Sequence, residues 1–102
     1  MVKVLLACNA GMSTSLLVTR MEKAAKEKGI EAQITAVGYT EIEKMLDSDD
    51  WQIVMLGPQV RHYYGALQKK YGERIPIVVI EMRDYGLMNG EAVLNAAIKA
   101  IG

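Results

Sequence analysis

Apolar residues fall in four short stretches along the chain. They occupy residues 2–7, 30–37, 51–56 and 77–80. Short apolar runs rich in β-branched residues are typical of strands. The run at 51–56 is interrupted only by Gln52, which predicts a central strand buried on both faces. The run at 30–37 mixes apolar and polar residues, which predicts an edge strand.

Apolar residues at helical spacing fill the intervals between these runs. The predicted helices cover residues 16–28, a short stretch after Thr40, residues 60–71 and residues 91–101. Thr40 and Glu43 match a capping box for the short helix. Gly29 and Gly72 stand where the first and third helices should end. Residues 81–89 are predicted to form a loop.

Strands that alternate with helices predict an α/β fold with a parallel sheet. Right-handed crossovers restrict the strand order, and we predict a single domain, residues 1–102, with a four-stranded sheet of order 2-1-3-4 and helices on both faces. In that order the loop after the first strand lies at the topological switch point, where such folds bind ligands. The loops at 57–60 and 81–89 should lie at the same edge of the sheet.

The turn after the first strand carries the strongest chemical signal. It reads Cys8-Asn9-Ala10-Gly11-Met12-Ser13-Thr14-Ser15. Backbone N–H groups at the start of a helix lack carbonyl partners and converge with the positive end of the helix dipole, which makes such a turn an anion site. Gly11 permits close approach of an anion, and the three hydroxyl residues add donors. Cys8 is therefore predicted to face a hole of the size of a phosphate.

A lone Cys after a strand is often only a small buried hydrophobe. A Gly and three hydroxyl residues within seven positions are poor core material, however, and the same donors would favour a thiolate. We therefore interpret Cys8 as a nucleophile.

Composition excludes several other classes of function. Lys+Arg and Asp+Glu are both 12, so the net charge is zero, which argues against nucleic-acid binding by bulk electrostatics. One Cys and one His provide neither an internal disulfide nor a convincing metal site. No basic tract, signal peptide or membrane-spanning run is evident, so we expect a cytoplasmic protein without direct membrane insertion.

Other reactive residues have ordinary interpretations. His62 is a conceivable nucleophile, but its predicted helix offers no anion cradle, which favours a surface position. Asp84 is better explained as a turn residue or ion-pair member than as a general acid. Gln59 and Tyr85 could each contact a bound phosphate. Equally, Gln59 could fix its loop and Tyr85 could pack in the core.

The methionines divide into two groups. Met21, Met45 and Met55 fall on apolar faces of predicted elements and should belong to the core. Met12, with Leu87 and Met88, could instead form an apolar rim on which partner proteins dock.

Three segments carry a resemblance to a known family. CNAGMSTSLLV, LGPQV and MRDYGLMNG, in this order, resemble the IIB component of the lactose/cellobiose/chitobiose branch of the bacterial sugar phosphotransferase system. The resemblance implies a cytoplasmic phosphoryl carrier, a component of a protein-phosphohistidine–sugar phosphotransferase without cofactor or metal. Its partners would be a IIA component that donates phosphate from a phosphohistidine and a membrane-embedded IIC sugar transporter. We expect a monomer.

Carried over to this chain, Cys8 is the phosphorylated residue and residues 9–15 bind the phosphate. Asn9 departs from the small residue expected there, which could alter one hydrogen bond of the loop. The resemblance leaves the sugar open among cellobiose, chitobiose, lactose and others.

A second arrangement, a strand followed by a Cys-x5-Arg loop and a helix, is similar to low-molecular-weight tyrosine phosphatases. The sixth position after Cys8 holds Thr14 in this chain, so the Arg that would stabilise a transferring phosphoryl group is absent. A cysteine-dependent phosphatase remains the alternative, together with a non-catalytic anion-binding module. A thiol-redox role is weaker because the chain has no second Cys.

Overall fold

Four parallel strands form one sheet in the order β2-β1-β3-β4, as predicted. The computed structural model describes residues 1–8 and 11–102, with the backbone alone for residues 11–13. The strands are β1 (Val2–Cys8), β2 (Ala32–Gly38), β3 (Ile53–Leu56) and β4 (Ile77–Val79). β2 is an edge strand and β3 lies between β1 and β4, which confirms both assignments.

Helices connect the strands. They are α1 (Gly11–Glu27), α2 (Ile42–Ser48), α3 (Tyr64–Tyr71), α4 (Met82–Gly86) and α5 (Gly90–Ile101), with 3₁₀ turns at Tyr39–Glu41 and Pro58–Tyr63. In the part of the chain that the structure describes, no helix has both the length and the hydrophobicity needed to cross a membrane.

Helices cover both faces of the sheet, because successive residues of a strand point to opposite sides. On one side, Val4 and Leu6 of β1 pack against α1 and α5; on the other, Leu5 and Ala7 pack against α2 and α3. The first cluster also contains Leu17, Met21, Met55, Val93, Leu94 and Ala97, and the second Ile42, Leu46, Val54, Leu67 and Tyr71. Met21 and Met55 are thus core residues, as predicted, and Met45 is a half-buried neighbour of the second cluster.

α1 begins at Gly11 and not at residue 16, so the predicted loop was too long. Its first turn consists of small hydroxyl residues and a glycine, which lack the apolar periodicity by which a helix is detected from sequence. Its end was predicted correctly. Gly29 has a φ of +69°, its N–H donates to Lys26 O, and Ile30 N–H donates to Ala25 O, which is a Schellman motif.

Two further predictions were wrong. The capping box at Thr40 does not form, because Thr40 lies inside a 3₁₀ turn and Glu41, without a side-chain bond, precedes α2. The predicted loop at 81–89 contains α4, whose five residues are too few for a periodic signal. Burial of Tyr85 anchors this short helix.

The ends of two other helices carry smaller differences. The helix predicted from residue 60 starts as a 3₁₀ turn at Pro58, and α3 follows from Tyr64. α5 begins one residue earlier than predicted, and the Asn89 side chain accepts a hydrogen bond from Ala92 N–H as its N-cap.

Candidate functional site

Cys8 is the last residue of β1, at the carboxyl edge of the sheet. It lies opposite Gly38 in β2, while Ala7, one residue earlier, lies opposite Leu56 in β3. Gly57 N–H extends the ladder by donating to Ala7 O at 2.8 Å. The two neighbouring strands therefore end beside Cys8, where the strand order reverses and doubly wound folds bind ligands.

The thiol of Cys8 is in contact with the hydroxyl of Thr14. Sγ and Oγ1 lie 2.7 Å apart. Cys8 is 1% exposed and Thr14 is fully buried. Thr14 belongs to the first turn of α1, so the helix that follows β1 turns back to place a hydroxyl on the thiol. The sulfur is thus covered in part by this hydroxyl, while the predicted phosphate-sized hole involves residues 9–13, whose side chains lie outside the described residues.

The start of α1 makes the surroundings of Cys8 favourable to anions. The helix begins at Gly11 and has no acidic residue in its first turn, so no carboxylate of that turn opposes the positive end of its dipole. Ser15 is exposed on the same turn, and its carbonyl oxygen accepts a hydrogen bond from the Thr19 hydroxyl at 3.1 Å. The predicted contacts of Asn9 and Ala10, and of the Met12 and Ser13 side chains, lie outside the described residues.

The loop after β3 reaches Cys8 from a second direction. A Cβ atom built on Gly57 would lie 3.3 Å from Gln59 Oε1 and 3.4 Å from Cys8 Cβ. The Gln59 amide and Cys8 therefore both border the space that a side chain at position 57 would fill. The sequence pointed to Gln59 and gave no sign of Gly57, because a close approach between a loop and a neighbouring strand has no local signal.

Tyr85 lies in the core. It is 6% exposed and belongs to the cluster that contains Val93 and Leu94. Asp84 is half-buried and lines a cavity of about 150 Å³ between β4, α4 and α5.

His62 lies on the exposed 3₁₀ turn. Its ring centroid is 4.3 Å from that of Tyr63, and Tyr63 in turn stacks on Tyr39. The structure gives His62 aromatic neighbours and does not bring it into the described contacts of Cys8.

The turn between α4 and α5 is tied to α1. Arg20 Nη1 donates to the carbonyls of Leu87 and Met88 at 3.2 Å each. Met88 has a φ of +50°, and Leu87 is 62% exposed. Leu87 is therefore available for the predicted apolar rim, whereas Met88 is half-buried against the core.

Strongly interacting ionisable groups lie elsewhere. The Lys70 ammonium, in contact with Glu43, lowers the pKa of that carboxyl, and Glu43 raises the pKa of Lys70. This pair joins α2 to α3. A cavity of about 510 Å³ that includes Trp51 and Arg74 lies where β3 and β4 begin, at the edge of the sheet opposite to Cys8. Within residues 1–8 and 11–102, no three His, Cys, Asp or Glu side chains form a metal-binding group.

A sequence profile described as the PTS system, lactose/cellobiose specific IIB subunit, matches residues 3–96. The chain belongs to this family. A galactose-specific EIIB component from Lactococcus lactis subsp. cremoris is 47% identical over 96 residues, which cover 90% of this chain and 89% of that protein. A cellobiose-specific EIIB component from Lactococcus lactis subsp. lactis is 46% identical, with the same coverage.

A solved structure agrees with these relatives. The solution structure of a cellobiose-specific phosphotransferase IIB component from Borrelia burgdorferi is 44% identical, covers 98% of this chain and 91% of that one, and superposes with a TM-score of 0.79. The resemblance found in the sequence is thereby confirmed. The chain is a IIB component of a sugar phosphotransferase system, and as such acts as a phosphotransferase component that carries phosphate to sugar.

Proposed function

We propose that this IIB domain, residues 1–102, carries the phosphoryl group on Cys8, accepts it from a phosphohistidine of a IIA component and donates it to a sugar translocated by a membrane-embedded IIC component. The observation that supports this most is the position of the thiol. Cys8 ends β1 three residues before α1 begins, and its sulfur lies 2.7 Å from the Thr14 hydroxyl.

Uptake is an in-line displacement at phosphorus. The Cys8 thiolate attacks, the phosphorus–nitrogen bond of the phosphohistidine breaks, and the imidazole leaves with the electron pair. Backbone N–H groups at the start of α1, with residues 9–15 as the cradle, stabilise the negative charge on the thiolate before the transfer and on the phosphocysteine after it. The same donors therefore serve both accepting and donating steps.

The Thr14 hydroxyl suits a carrier better than a phosphatase. Thr14 occupies the position of the phosphatase Arg, and its neutral hydroxyl contacts the sulfur. A bidentate guanidinium would stabilise the charge of the phosphoryl group during attack by water. Without it hydrolysis is slow, and a carrier needs a phosphocysteine that survives until the sugar arrives.

Partner docking must uncover the sulfur, since Cys8 is 1% exposed. An apolar rim containing Met12, Leu87 and Met88 is our candidate contact surface, of which Leu87 is the most exposed described member. The domain would work in the cytoplasm as a monomer, without cofactor. The relatives are named for galactose and cellobiose, so the sugar for this chain is left to transfer assays with different IIC components.

Mass spectrometry after incubation with a phosphorylated IIA protein tests the proposal. We expect one phosphoryl group per chain, located on Cys8, and none on Cys8→Ser. His62→Gln is the matched control and should be phosphorylated like the wild type. A Cys8→Ser protein that gains one phosphoryl group as readily as the wild type would refute the assignment and direct attention to His62.

A further inference from the structure

Two glycines lie on either side of Cys8, one at the end of β2 and one just after β3, and they differ in the space available for a side chain. A Cβ on Gly38, which pairs with Cys8 in β2, would meet nothing within 4 Å. A Cβ on Gly57 would lie 3.3 Å from Gln59 Oε1, 3.4 Å from Cys8 Cβ and 3.5 Å from Ala7 O. Gly57 has φ −61° and ψ 152°, which any residue adopts. A methyl group at position 57 would therefore press on the Gln59 amide oxygen, whereas the backbone there does not require glycine.

The loop that carries Gln59 is held in place on both sides. Gly57 N–H donates to Ala7 O at 2.8 Å, Val60 N–H donates to Gly57 O at 3.0 Å, and Arg61 Nη1 donates to Pro58 O at 3.1 Å. Gln59 is exposed, and its amide oxygen lies 3.3 Å from the position that a Cβ on Gly57 would take. Cys8 Cβ lies 3.4 Å from the same position. The exposed amide therefore belongs to a loop that borders Cys8, the proposed phosphoryl donor.

We propose that the Gln59 amide orients the hydroxyl group that takes the phosphoryl group from Cys8, and that the absence of a side chain at Gly57 leaves room for the amide at the border of Cys8. This inference rests on the proposed phosphoryl transfer. In the donating step the acceptor oxygen attacks phosphorus, the sulfur–phosphorus bond breaks with its electron pair going to sulfur, and the hydroxyl proton is released to solvent, which leaves Cys8 as a thiolate. Gln59 Oε1 accepts a hydrogen bond from the hydroxyl and is itself unchanged.

The two half-reactions should depend on Gln59 differently. A sugar presents an O–H group that an amide oxygen can hold. The nitrogen bonded to phosphorus in a phosphohistidine carries no proton, so it donates no hydrogen bond to the amide oxygen during uptake. Loss of one orienting hydrogen bond should slow transfer to a hydroxyl by about tenfold and leave uptake within about twofold of the wild type.

Small probes separate the two half-reactions. The protein is loaded with phosphoramidate, a nitrogen-bonded phosphoryl donor, and then mixed with glycerol as a hydroxyl acceptor or with imidazole as a nitrogen acceptor. Gln59→Met keeps the length of the side chain and removes the hydrogen bond. Gly57→Ala should displace the amide, and Gly38→Ala is its matched control because the added methyl group meets open space.

We expect Gln59→Met and Gly57→Ala each to slow transfer to glycerol by about tenfold, with transfer to imidazole unchanged and Gly38→Ala like the wild type. The double variant should lose little more than either single one, because both changes remove the same contact. Equal rates for Gln59→Met and wild type with glycerol, or equal losses with glycerol and imidazole, would overturn the inference while loading still supports the carrier. A wild-type protein that loads on Cys8 from neither phosphoramidate nor a phosphorylated IIA protein would contradict the proposed function itself, and the inference with it.

Discussion

The Cys8 sulfur and the Thr14 hydroxyl oxygen lie 2.7 Å apart although six positions separate the two residues in sequence. One residue ends a strand and the other lies in the first turn of the following helix, and both are buried. Thr14 can therefore take part in the proposed reaction, because its hydroxyl can donate a hydrogen bond to a thiolate and accept one from a thiol.

Replacing Thr14 with Val should impair phosphoryl uptake. The change keeps the shape of the side chain and leaves the Cys8 sulfur without this hydroxyl, which at about 1–1.5 kcal/mol corresponds to a roughly tenfold slower uptake. Thr14→Ser restores the hydroxyl and should recover most of the rate. Uptake is measured by mass spectrometry over time, with urea unfolding to confirm that both variants are folded. Equal uptake rates for Thr14→Val and the wild type would mean that Thr14 contributes packing and that its hydroxyl has no role in uptake.

An aryl phosphate distinguishes the carrier from a phosphatase. Thr14 offers a neutral hydroxyl where a phosphatase carries an Arg, so turnover of p-nitrophenyl phosphate should be negligible at protein concentrations that give stoichiometric loading from a phosphohistidine donor. The phosphocysteine should persist for many transfer cycles. Rapid hydrolysis that disappears in Cys8→Ala would favour the phosphatase alternative.

Gly90 should be required for the packing of α5 on α1. A Cβ there would lie 2.4 Å from the Arg20 carbonyl carbon and 2.6 Å from Met21 N, both backbone atoms that cannot move alone. Gly90→Ala is therefore expected to lower the free energy of unfolding by about 1–3 kcal/mol. Gly65→Ala in α3, where the methyl group meets open space, should leave it unchanged or slightly higher. Equal urea midpoints for the two variants would contradict this packing.

The Glu43–Lys70 ion pair should stabilise the fold over a limited pH range. Lys70 lowers the pKa of Glu43. The contribution of Glu43 to the free energy of unfolding is therefore fully present above the ordinary pKa of a Glu carboxyl, and it is lost as the pH falls through the lowered pKa. Glu43 raises the pKa of Lys70, so that contribution is present below the ordinary Lys value and is lost as the pH rises through the raised one.

The urea midpoint of Glu43→Gln should therefore fall below that of the wild type near neutral pH, and the two should converge in strong acid. The difference should be small, because both side chains are more than half exposed. Glu22→Gln, which removes a carboxylate from an exposed position of α1, is the control. A difference that persists unchanged into strong acid would indicate packing and not charge.

Local patterns were sufficient for most of the fold. Short runs rich in apolar residues identified all four strands, and their alternation with helical segments led to the parallel order 2-1-3-4, because few right-handed topologies connect such elements. Gly29 marked the end of α1 because a residue with positive φ is a local requirement. α4 and the start of α1 were missed, since a five-residue helix and a hydroxyl-rich first turn carry no apolar periodicity.

By itself, the sequence determined the candidate nucleophile and the family, because both rest on short local motifs that can be recognised without the fold. Only the tertiary structure decided that the Cys8 sulfur is buried against Thr14, that Gln59 and Cys8 both border Gly57, and that Arg20 holds the turn at Leu87 and Met88. These contacts join residues from different strands and helices. They depend on how the elements pack, because side chains far apart in sequence meet only when the sheet and its helices are assembled.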